Sequence, residues 1–313
     1  MLMSYSNFKN SMEDRIRGMA PGKIVSVFPV EKPNGQTLDA VTITDPGQTI
    51  APTFYFQNFY ENYMHGEDID ALAQQILVYN EMYRPGGKLV DNWNPDMSFS
   101  DVKDDIRCRI LNFDLNRAFL EENVCTCFMD LAIIYYFTID VRGIEDGMIT
   151  VSRPTLDDWG VDIGELDLLA RENTFKEQVP VLLACSGARA RNYDTPYPDF
   201  PVEETIRIAE EGSPLPIFIL TTTQGRFGAV SILSTRAMEI LAHLGSRYKT
   251  NLFLIPCSIH EFMIVPDNGD ITIYGLTSMI DDVNSRELYH SEILSDHPYI
   301  YDWKEERILS IAR

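Results

Sequence analysis

The stretch that decides the fold runs from residue 252 to residue 266 and reads Leu252-Phe253-Leu254-Ile255-Pro256-Cys257-Ser258-Ile259-His260-Glu261-Phe262-Met263-Ile264-Val265-Pro266. Two apolar runs of strand length flank a short polar interruption, and Pro256 and Pro266 punctuate them. The pattern predicts two strands joined by a tight turn. The chain's one adjacent His-Glu pair, His260 and Glu261, lies where the second strand begins.

The sequence on both sides of this stretch predicts further elements of the same fold. The predicted elements are a strand at 217–222, a strand at 228–233, a helix that is capped by Ser234 or Thr235 and stopped by Gly245, a helix through 276–283, and one or two edge strands within 299–311. The C-terminal part is therefore predicted as a β-β-α-β-β unit with a following helix and tail strands.

The N-terminal part begins with a second strand-rich pattern. Apolar and polar residues alternate at 23–30, 38–44 and 50–56, and turn signals separate the three runs, which predicts an antiparallel meander. Apolar residues three and four apart predict helices at 4–17, 65–83 and 101–111. Because strands and helices are mixed without a regular βαβ alternation, the predicted fold class is α+β.

A proline-rich stretch at 186–216 divides the chain in the sequence. It has few large apolar residues and one helical segment, at 202–210. We predict a linker or long loop there. It would separate an N-terminal α+β part, 1–185, from a C-terminal α+β part, 217–313, which carries the His-Glu pair.

The charge of the chain limits its partners. Its 313 residues include 47 acidic and 26 basic ones, for a net charge of -21. Such a chain repels phosphate backbones, so we expect no direct binding of nucleic acid. Association with a protein that has a basic surface is allowed, and the same charge also serves solubility.

Composition and the absence of binding motifs indicate a compartment and exclude several kinds of site. The five cysteines show no disulfide or zinc spacing, which fits a reducing cytoplasm. The start of the chain is polar and no apolar run reaches membrane-span length, so we expect a cytoplasmic protein without membrane contact. Residues 84–88 lack the spacing of a phosphate-binding loop. We expect no cofactor and no bound metal.

Several segments, in order along nearly the whole chain, resemble a family of uncharacterised bacterial cytosolic proteins known as a domain of unknown function. The segments are Ile50-Ala51-Pro52-Thr53, Phe59-Tyr60, Gly66, Asp130-Leu131-Ala132, Tyr135, Trp159, Asn173-Thr174, residues 254–261, Pro266, Val283-Asn284, Glu292-Ile293-Leu294-Ser295-Asp296, Tyr299 and Tyr301. The resemblance does not extend over 186–216. It implies no known activity, cofactor or partner. The family commonly has serine where this chain has Cys257, so a role that needs a hydroxyl there is in doubt.

The candidate site residues form two groups in the sequence. Ser258, His260 and Glu261 lie in the central stretch, and Ser295, Asp296 and His297 lie in the tail. Residues two apart share a strand face, so Ser258 and His260 would point together and Glu261 the other way. His260 could then meet Asp296 or His297 as a general acid/base pair or as part of a metal site. The same residues could equally be a structural hydrogen-bond network.

The spacing of the residues argues against two more specific kinds of catalytic site. A zincin motif needs a second histidine four residues after the first on a helix, and that position is Ile264 in a predicted strand. A Cys257–His260 nucleophile would put its two members on opposite strand faces. A small buried cysteine is the simpler interpretation.

Three hypotheses of function follow from these patterns. The first is a non-enzymatic interaction or regulatory protein with an acidic surface, which binds a partner with a basic surface. The second is a hydrolase-like enzyme that uses His260 with Asp296 or His297. The third is an acidic mimic of nucleic acid that occupies a basic partner protein. The sequence does not predict the oligomeric state.

Overall fold

The computed structural model describes residues 2–47, 51–83, 97–141, 144–185, 200–213 and 215–311. The helices and strands are α1 (Tyr5–Met19), β1 (Ile24–Lys32), β2 (Gln36–Thr44), β3 (Phe54–Tyr55), α2 (Phe56–Met64), α3 (Ile69–Tyr83), α4 (Phe99–Val102), β4 (Ile106–Asn112), α5 (Arg117–Glu122), β5 (Cys125–Phe128), β6 (Leu131–Val141), β7 (Ile144–Thr150), α6 (Arg153–Trp159), α7 (Ile163–Glu177), β8 (Pro180–Ala184), α8 (Val202–Gly212), β9 (Phe218–Thr222), α9 (Thr235–Tyr248), β10 (Leu252–Ser258), β11 (Glu261–Pro266), α10 (Ile273–Arg286), β12 (Tyr299–Asp302) and β13 (Arg307–Ser310). The described strands form three antiparallel sheets, which confirms the α+β class.

The chain divides into two compact units at other places than the sequence predicts. Residues 1–32, 36–101 and 138–149 form the first unit, and residues 33–35, 102–137 and 150–313 form the second. The predicted boundary at 186–216 lies within the second unit, because β8 before that stretch and β9 after it pair in one sheet. Helix α8 lies inside the stretch, and residues 186–199 and 214 lie outside the described part.

The first unit contains the predicted meander. Its sheet has the order β1-β2-β3, and β1 pairs with β2 from Ile24 opposite Thr44 onward. The third strand is shorter than predicted, since β3 has two residues, and residue 50 of the predicted run lies outside the described part. Helix α1 buries Phe8, Met12 and Ile16, four residues apart, in the core of this unit.

The second unit is organised around the stretch 252–266. Its largest sheet has the order β13-β12-β10-β11-β9-β8, so the two strands of that stretch are the central pair. One face of the pair packs Phe253, Ile255 and Val265 against Leu276 and Ile280 of α10. Because both strands are almost entirely buried, they read as continuous apolar runs rather than as alternating ones.

One element of the predicted β-β-α-β-β unit is different in the structure. Residues Gly228–Leu233, predicted as a strand, form a 3₁₀ helix. Five of its six residues are buried, and a short buried apolar run has the same appearance in a strand and in a buried helical segment. The first predicted hairpin is therefore absent. The other predicted elements of this part, including the tail strands, are confirmed, except that α9 continues past the predicted stop at Gly245 and ends at Tyr248.

The predicted helix at 101–111 is wrong. Apart from the short α4 and a turn, this segment is strand β4, which pairs with β6 from Ile106 opposite Phe137. The prediction used residues four apart, but residues four apart also share a face of a strand. Within the second unit, residues 131–137 of β6 pair with β4 on one side and with β5 on the other.

None of the described helices combines the length and the apolar composition that crossing a bilayer requires.

Candidate functional site

The turn between the two central strands carries Ser258, Ile259 and His260. Ser258 pairs with Glu261 in the antiparallel ladder, and the register shifts between Pro256 and Ser258. Proline cannot donate to the ladder, and an irregularity of this kind is where a strand tolerates it. The hydroxyl of Ser258 accepts a hydrogen bond from the N–H of His260 at 3.0 Å. The serine therefore supports the turn.

Three neighbouring segments hold the backbone of this turn. The hydroxyl of Thr221 donates to the carbonyl of His260 at 2.8 Å. The N–H of Ile259 donates to the carbonyl of Glu292 at 2.9 Å, and the carbonyl of Ile259 accepts from the N–H of Ala229 at 3.3 Å. The place of the His260 ring is thus set by β9, the 3₁₀ helix and the 290–292 turn.

The ring of His260 has a defined orientation. Its Nδ1 accepts a hydrogen bond from the N–H of Phe227 at 3.0 Å, so the proton of the neutral ring is on Nε2. Nε2 lies 3.6 Å from Oε1 of Glu292. The ring stacks on the ring of Phe227, with centroids 5.9 Å apart and planes 20° apart. His260 therefore connects a carboxylate to an aromatic residue.

Phe227 has an unusual backbone conformation. Its φ of 55° lies in the left-handed region, which a bulky side chain rarely adopts. Such a conformation costs on the order of 1–2 kcal/mol and persists where the surroundings impose it. The hydrogen bond to His260 and the stacking of the two rings fix it here. The same contacts hold the Phe227 ring against His260.

A second network surrounds His297, which is almost fully buried. Its Nδ1 lies 2.8 Å from Oδ1 of Asp296 and 3.3 Å from Oγ of Ser295. Its Nε2 lies 3.0 Å from Oγ of Ser310 and 3.3 Å from Oδ2 of Asp130. Both ring nitrogens thus have polar partners. The network links the β5–β6 turn, the segment before β12, and strand β13.

Tyr299 closes this second network. Its hydroxyl donates to Oδ2 of Asp130 at 3.3 Å, and its ring lies 5.2 Å from the ring of His297. Burial is the largest influence on its hydroxyl and raises the pKa of Tyr299, and the Asp130 charge also raises it. The tyrosine therefore stays a hydrogen-bond donor at neutral pH.

The structure joins only some of the predicted site residues. Asp296 meets His297, and Ser258 meets the backbone of His260. Among the hydrogen bonds and ion pairs of the described residues, none joins His260 to Asp296 or His297. The carboxylate that faces His260 belongs to Glu292, which the sequence did not point to.

Among the described residues, no group of three or more His, Cys, Asp and Glu side chains is arranged to hold a metal ion. Cys257 is half-buried, with Sγ 3.7 Å from the carbonyl oxygen of Ile255.

Phe227 also takes part in a cluster that the sequence did not reveal. The guanidinium carbon of Arg109, in β4, lies 4.6 Å from the centroid of the Phe227 ring and 5.8 Å from that of Tyr136 in β6. The Nε atom of Arg109 is enclosed and has no hydrogen-bond partner among the described residues. Arg226 lies 4.9 Å from the same Phe227 ring. We call Arg109, Tyr136, Phe227 and Gln178 the Arg109 cluster.

The electrostatics of the Arg109 cluster follow from burial. The pKa of Arg109 is lowered to about 10, chiefly by burial; Tyr136 raises it and the charge of Arg226 lowers it. Burial also raises the pKa of Tyr136, while Arg109 and a hydrogen bond from Gln178 lower it. The oxygen of the Gln178 side chain is buried and has no partner among the described residues. A positive charge is thus held in a poorly solvated place.

The only signal for this cluster in the sequence is local. Arg107 and Arg109 alternate with apolar residues within the segment 106–111, as charges in a half-buried strand would. The other members come from β6, from the α7–β8 connection and from the loop after β9. Contacts between such distant segments cannot be read from spacing.

Comparisons with known proteins place the chain in a family. No curated protein and no solved structure matches it. A family profile matches residues 5–303, which is nearly the whole chain. The chain therefore belongs to DUF5688, a family of unknown function.

Proposed function

We propose that the chain is a non-enzymatic interaction protein that binds a partner with a basic surface through the outer face of α10. The observation that carries this proposal is a set of exposed apolar side chains beside acidic ones. Tyr274 is 85% exposed, and Tyr289, three residues after the helix, is 79% exposed. Exposed aromatic residues and methionine are typical of interface centres, and Met279 of the same helix is 44% exposed.

The shape and charge of this face indicate the chemistry of the partner. A shallow hollow on α10 is lined by Gly275, Ser278, Met279, Asp281, Asp282 and Ser285. Asp282 is 3.0 Å from Arg286 in an exposed pair, which contributes little to stability. Together with the net charge of -21, the two aspartates favour a partner that presents lysine or arginine beside an apolar group.

The test is site-specific photo-crosslinking in a native lysate. A photoreactive residue replaces Tyr274, and a control replaces Leu168 of α7, which is 62% exposed. We expect one dominant adduct from position 274, absent from position 168, with a protein whose surface is basic. The double substitution Asp281→Lys with Asp282→Lys should abolish the adduct. About 0.5 M salt should weaken the adduct, because salt at that concentration screens interactions between surface charges.

The proposal fails if position 274 gives no adduct, if position 168 gives the same adduct, or if the charge reversal leaves the adduct unchanged. If the captured protein binds nucleic acid and excess DNA displaces it, the acidic-mimic form of the proposal is supported. A captured protein that keeps its DNA bound would count against that form.

A second candidate is a hydrolase, because Asp296, His297 and Ser310 form a chain of carboxylate, imidazole and hydroxyl. The position of Asp130 argues against it. Its Oδ2 lies 3.3 Å from Nε2, beside the Ser310 hydroxyl, and a carboxylate in that place favours a proton on Nε2. An Nε2 that carries a proton cannot take the proton of Ser310.

Labelling with a fluorophosphonate separates the two candidates. We expect no labelling of wild-type protein beyond that of Ser310→Ala. Labelling that requires both Ser310 and His297 would support the hydrolase.

A further inference from the structure

We infer that the Arg109 cluster is a binding site for a small oxyanion, a carboxylate or phosphate group that carries a neighbouring hydroxyl or amino group. The site is separate from the proposed docking face on α10. The inference rests on hydrogen-bonding groups that the described part of the fold encloses but does not use.

The first of these groups is the guanidinium of Arg109. Its neighbours are two aromatic rings and a second arginine, and no carboxylate of the described residues forms an ion pair with it. Contact with aromatic rings compensates only part of the cost of withdrawing an unpaired cation from water. Arg109 as a whole is only half-buried, so part of its side chain is accessible to a ligand.

The second group is the hydroxyl of Tyr136. The side chain of Gln178 acts on it as a donor would and lowers its pKa, so the proton of the hydroxyl is available to an acceptor. The contacts with the aromatic rings involve the charge of Arg109, but they supply no hydrogen-bond acceptor for its N–H groups, including the enclosed Nε. An oxyanion beside both residues would accept from a guanidinium and from a phenol, as carboxylates and phosphates do.

The third group is the side-chain oxygen of Gln178. The residue is 6% exposed, and this oxygen has no hydrogen-bond partner among the described residues. Since it can only accept, it would need a donor on the ligand. A hydroxyl or amino group next to the anionic group supplies one. The buried hydroxyls of Thr222 and Ser231, on β9 and the 3₁₀ helix, also lack partners in the described part.

The charge of the surroundings supports an anion. Arg226 adds a second guanidinium at the Phe227 ring and lowers the pKa of Arg109, so the two cations repel each other. An oxyanion offsets this repulsion.

The test is isothermal titration calorimetry of the full chain with inorganic phosphate, acetate and L-malate, at constant ionic strength with chloride as the reference. The variants are Arg109→Met, Arg109→Lys and, as a matched control in the same strand, Arg107→Met. Circular dichroism verifies that each variant folds. If Arg107→Met does not fold, His243→Ala, at an exposed position of α9, replaces it as the control.

We expect wild-type protein to bind either phosphate or the carboxylates at a single saturable site, and malate to bind more tightly than acetate. Binding should weaken at least about tenfold in Arg109→Met, less in Arg109→Lys, and stay within about twofold of wild type in the control. The inference is overturned if none of the probes binds wild-type protein saturably, or if Arg109→Met binds as wild type does. Equal binding of acetate and malate would overturn the role of Gln178 as the acceptor for the ligand's hydroxyl group.

Discussion

Two polar regions of the second unit are built from similar residues but differ in whether the protein satisfies them. Around His297, both ring nitrogens meet carboxylates or hydroxyls of the chain. Around Arg109, the enclosed Nε meets no partner within the described residues. A complete network stabilises the fold, whereas an incomplete one lowers its stability and is typical of a binding site.

Strand β4 repeats this contrast within three residues. The side chain of Arg107 donates to both carboxylate oxygens of Glu177 and to the carbonyls of Asp104 and Ile106. Arg109 makes no comparable bond. Because residues two apart share a strand face, the two arginines are a matched pair that differs in partners.

The largest effect is expected from Gly228→Ala, which should displace the Phe227 ring from the Arg109 cluster. An added Cβ would lie 2.1 Å from Thr221 Oγ1, 2.6 Å from the His260 carbonyl oxygen and 2.9 Å from Thr222 N. Two of these are backbone atoms, so we expect a loss of about 3 kcal/mol in the free energy of unfolding, measured by denaturant titration. Gly18→Ala, in open space on α1, should raise it by roughly 0.5–1 kcal/mol. Equal effects at the two glycines would contradict the predicted crowding.

His297→Ala tests the complete network. We expect it to lower the free energy of unfolding by about 2 kcal/mol, because buried partners lose their hydrogen bonds. His243→Ala, at an exposed histidine of α9, should change it by less than about 0.5 kcal/mol. A loss at His297 no larger than that at His243 would mean that the network does not stabilise the fold.

Cys108, between the two arginines, gives a prediction for alkaline pH. Burial raises the pKa of its thiol from 9.0 to about 11, so the folded state keeps a proton that the unfolded state releases. The contribution of this thiol to the free energy of unfolding is fully present below pH 9 and falls by about 1 kcal/mol per pH unit between pH 9 and 11. Cys108→Ala should remove this component of the decline, and Cys127→Ala, at an exposed cysteine, should not. Parallel curves for wild type and Cys108→Ala would count against the burial of the thiol.

The smallest effect is expected in double-mutant cycles that test whether the networks of His260 and His297 are independent. His260→Ala and Asp296→Ala should be additive within about 0.5 kcal/mol in a double-mutant cycle, since the two residues lie in different networks. His297→Ala with Asp130→Ala should show coupling above that value. Strong coupling between His260 and Asp296 would mean that the two networks act as one.

The fold was predictable where the pattern of burial determined it. The hairpin of β10 and β11, the helix α10 and the tail strands follow from apolar runs and turns. Errors arose where two structures share one pattern, as in β4. Gly245 is another case: it lies inside α9 instead of ending it, and the close packing of Trp303, whose Cβ would be 2.6 Å from an added Cβ, accounts for glycine there. Lys249 in the left-handed conformation ends the helix.

The candidate site was less predictable than the fold. Spacing placed Ser258 beside His260 and Asp296 beside His297, because neighbours in sequence stay neighbours in space. Glu292 reaches His260 through a turn about thirty residues later in the chain, and four distant segments form the Arg109 cluster. Such contacts depend on the packing of whole elements, which residue patterns do not encode locally.

The most direct test of the account compares unfolding curves of wild type, Arg107→Met and Arg109→Met, each with and without the oxyanion that calorimetry identifies. The account predicts that Arg107→Met loses about 2 kcal/mol in both conditions. Arg109→Met should be as stable as wild type or more stable without the oxyanion, and should gain nothing from it, because an unpaired buried charge has been removed. If Arg109→Met loses as much stability as Arg107→Met without the oxyanion, Arg109 serves the fold and the central claim is contradicted.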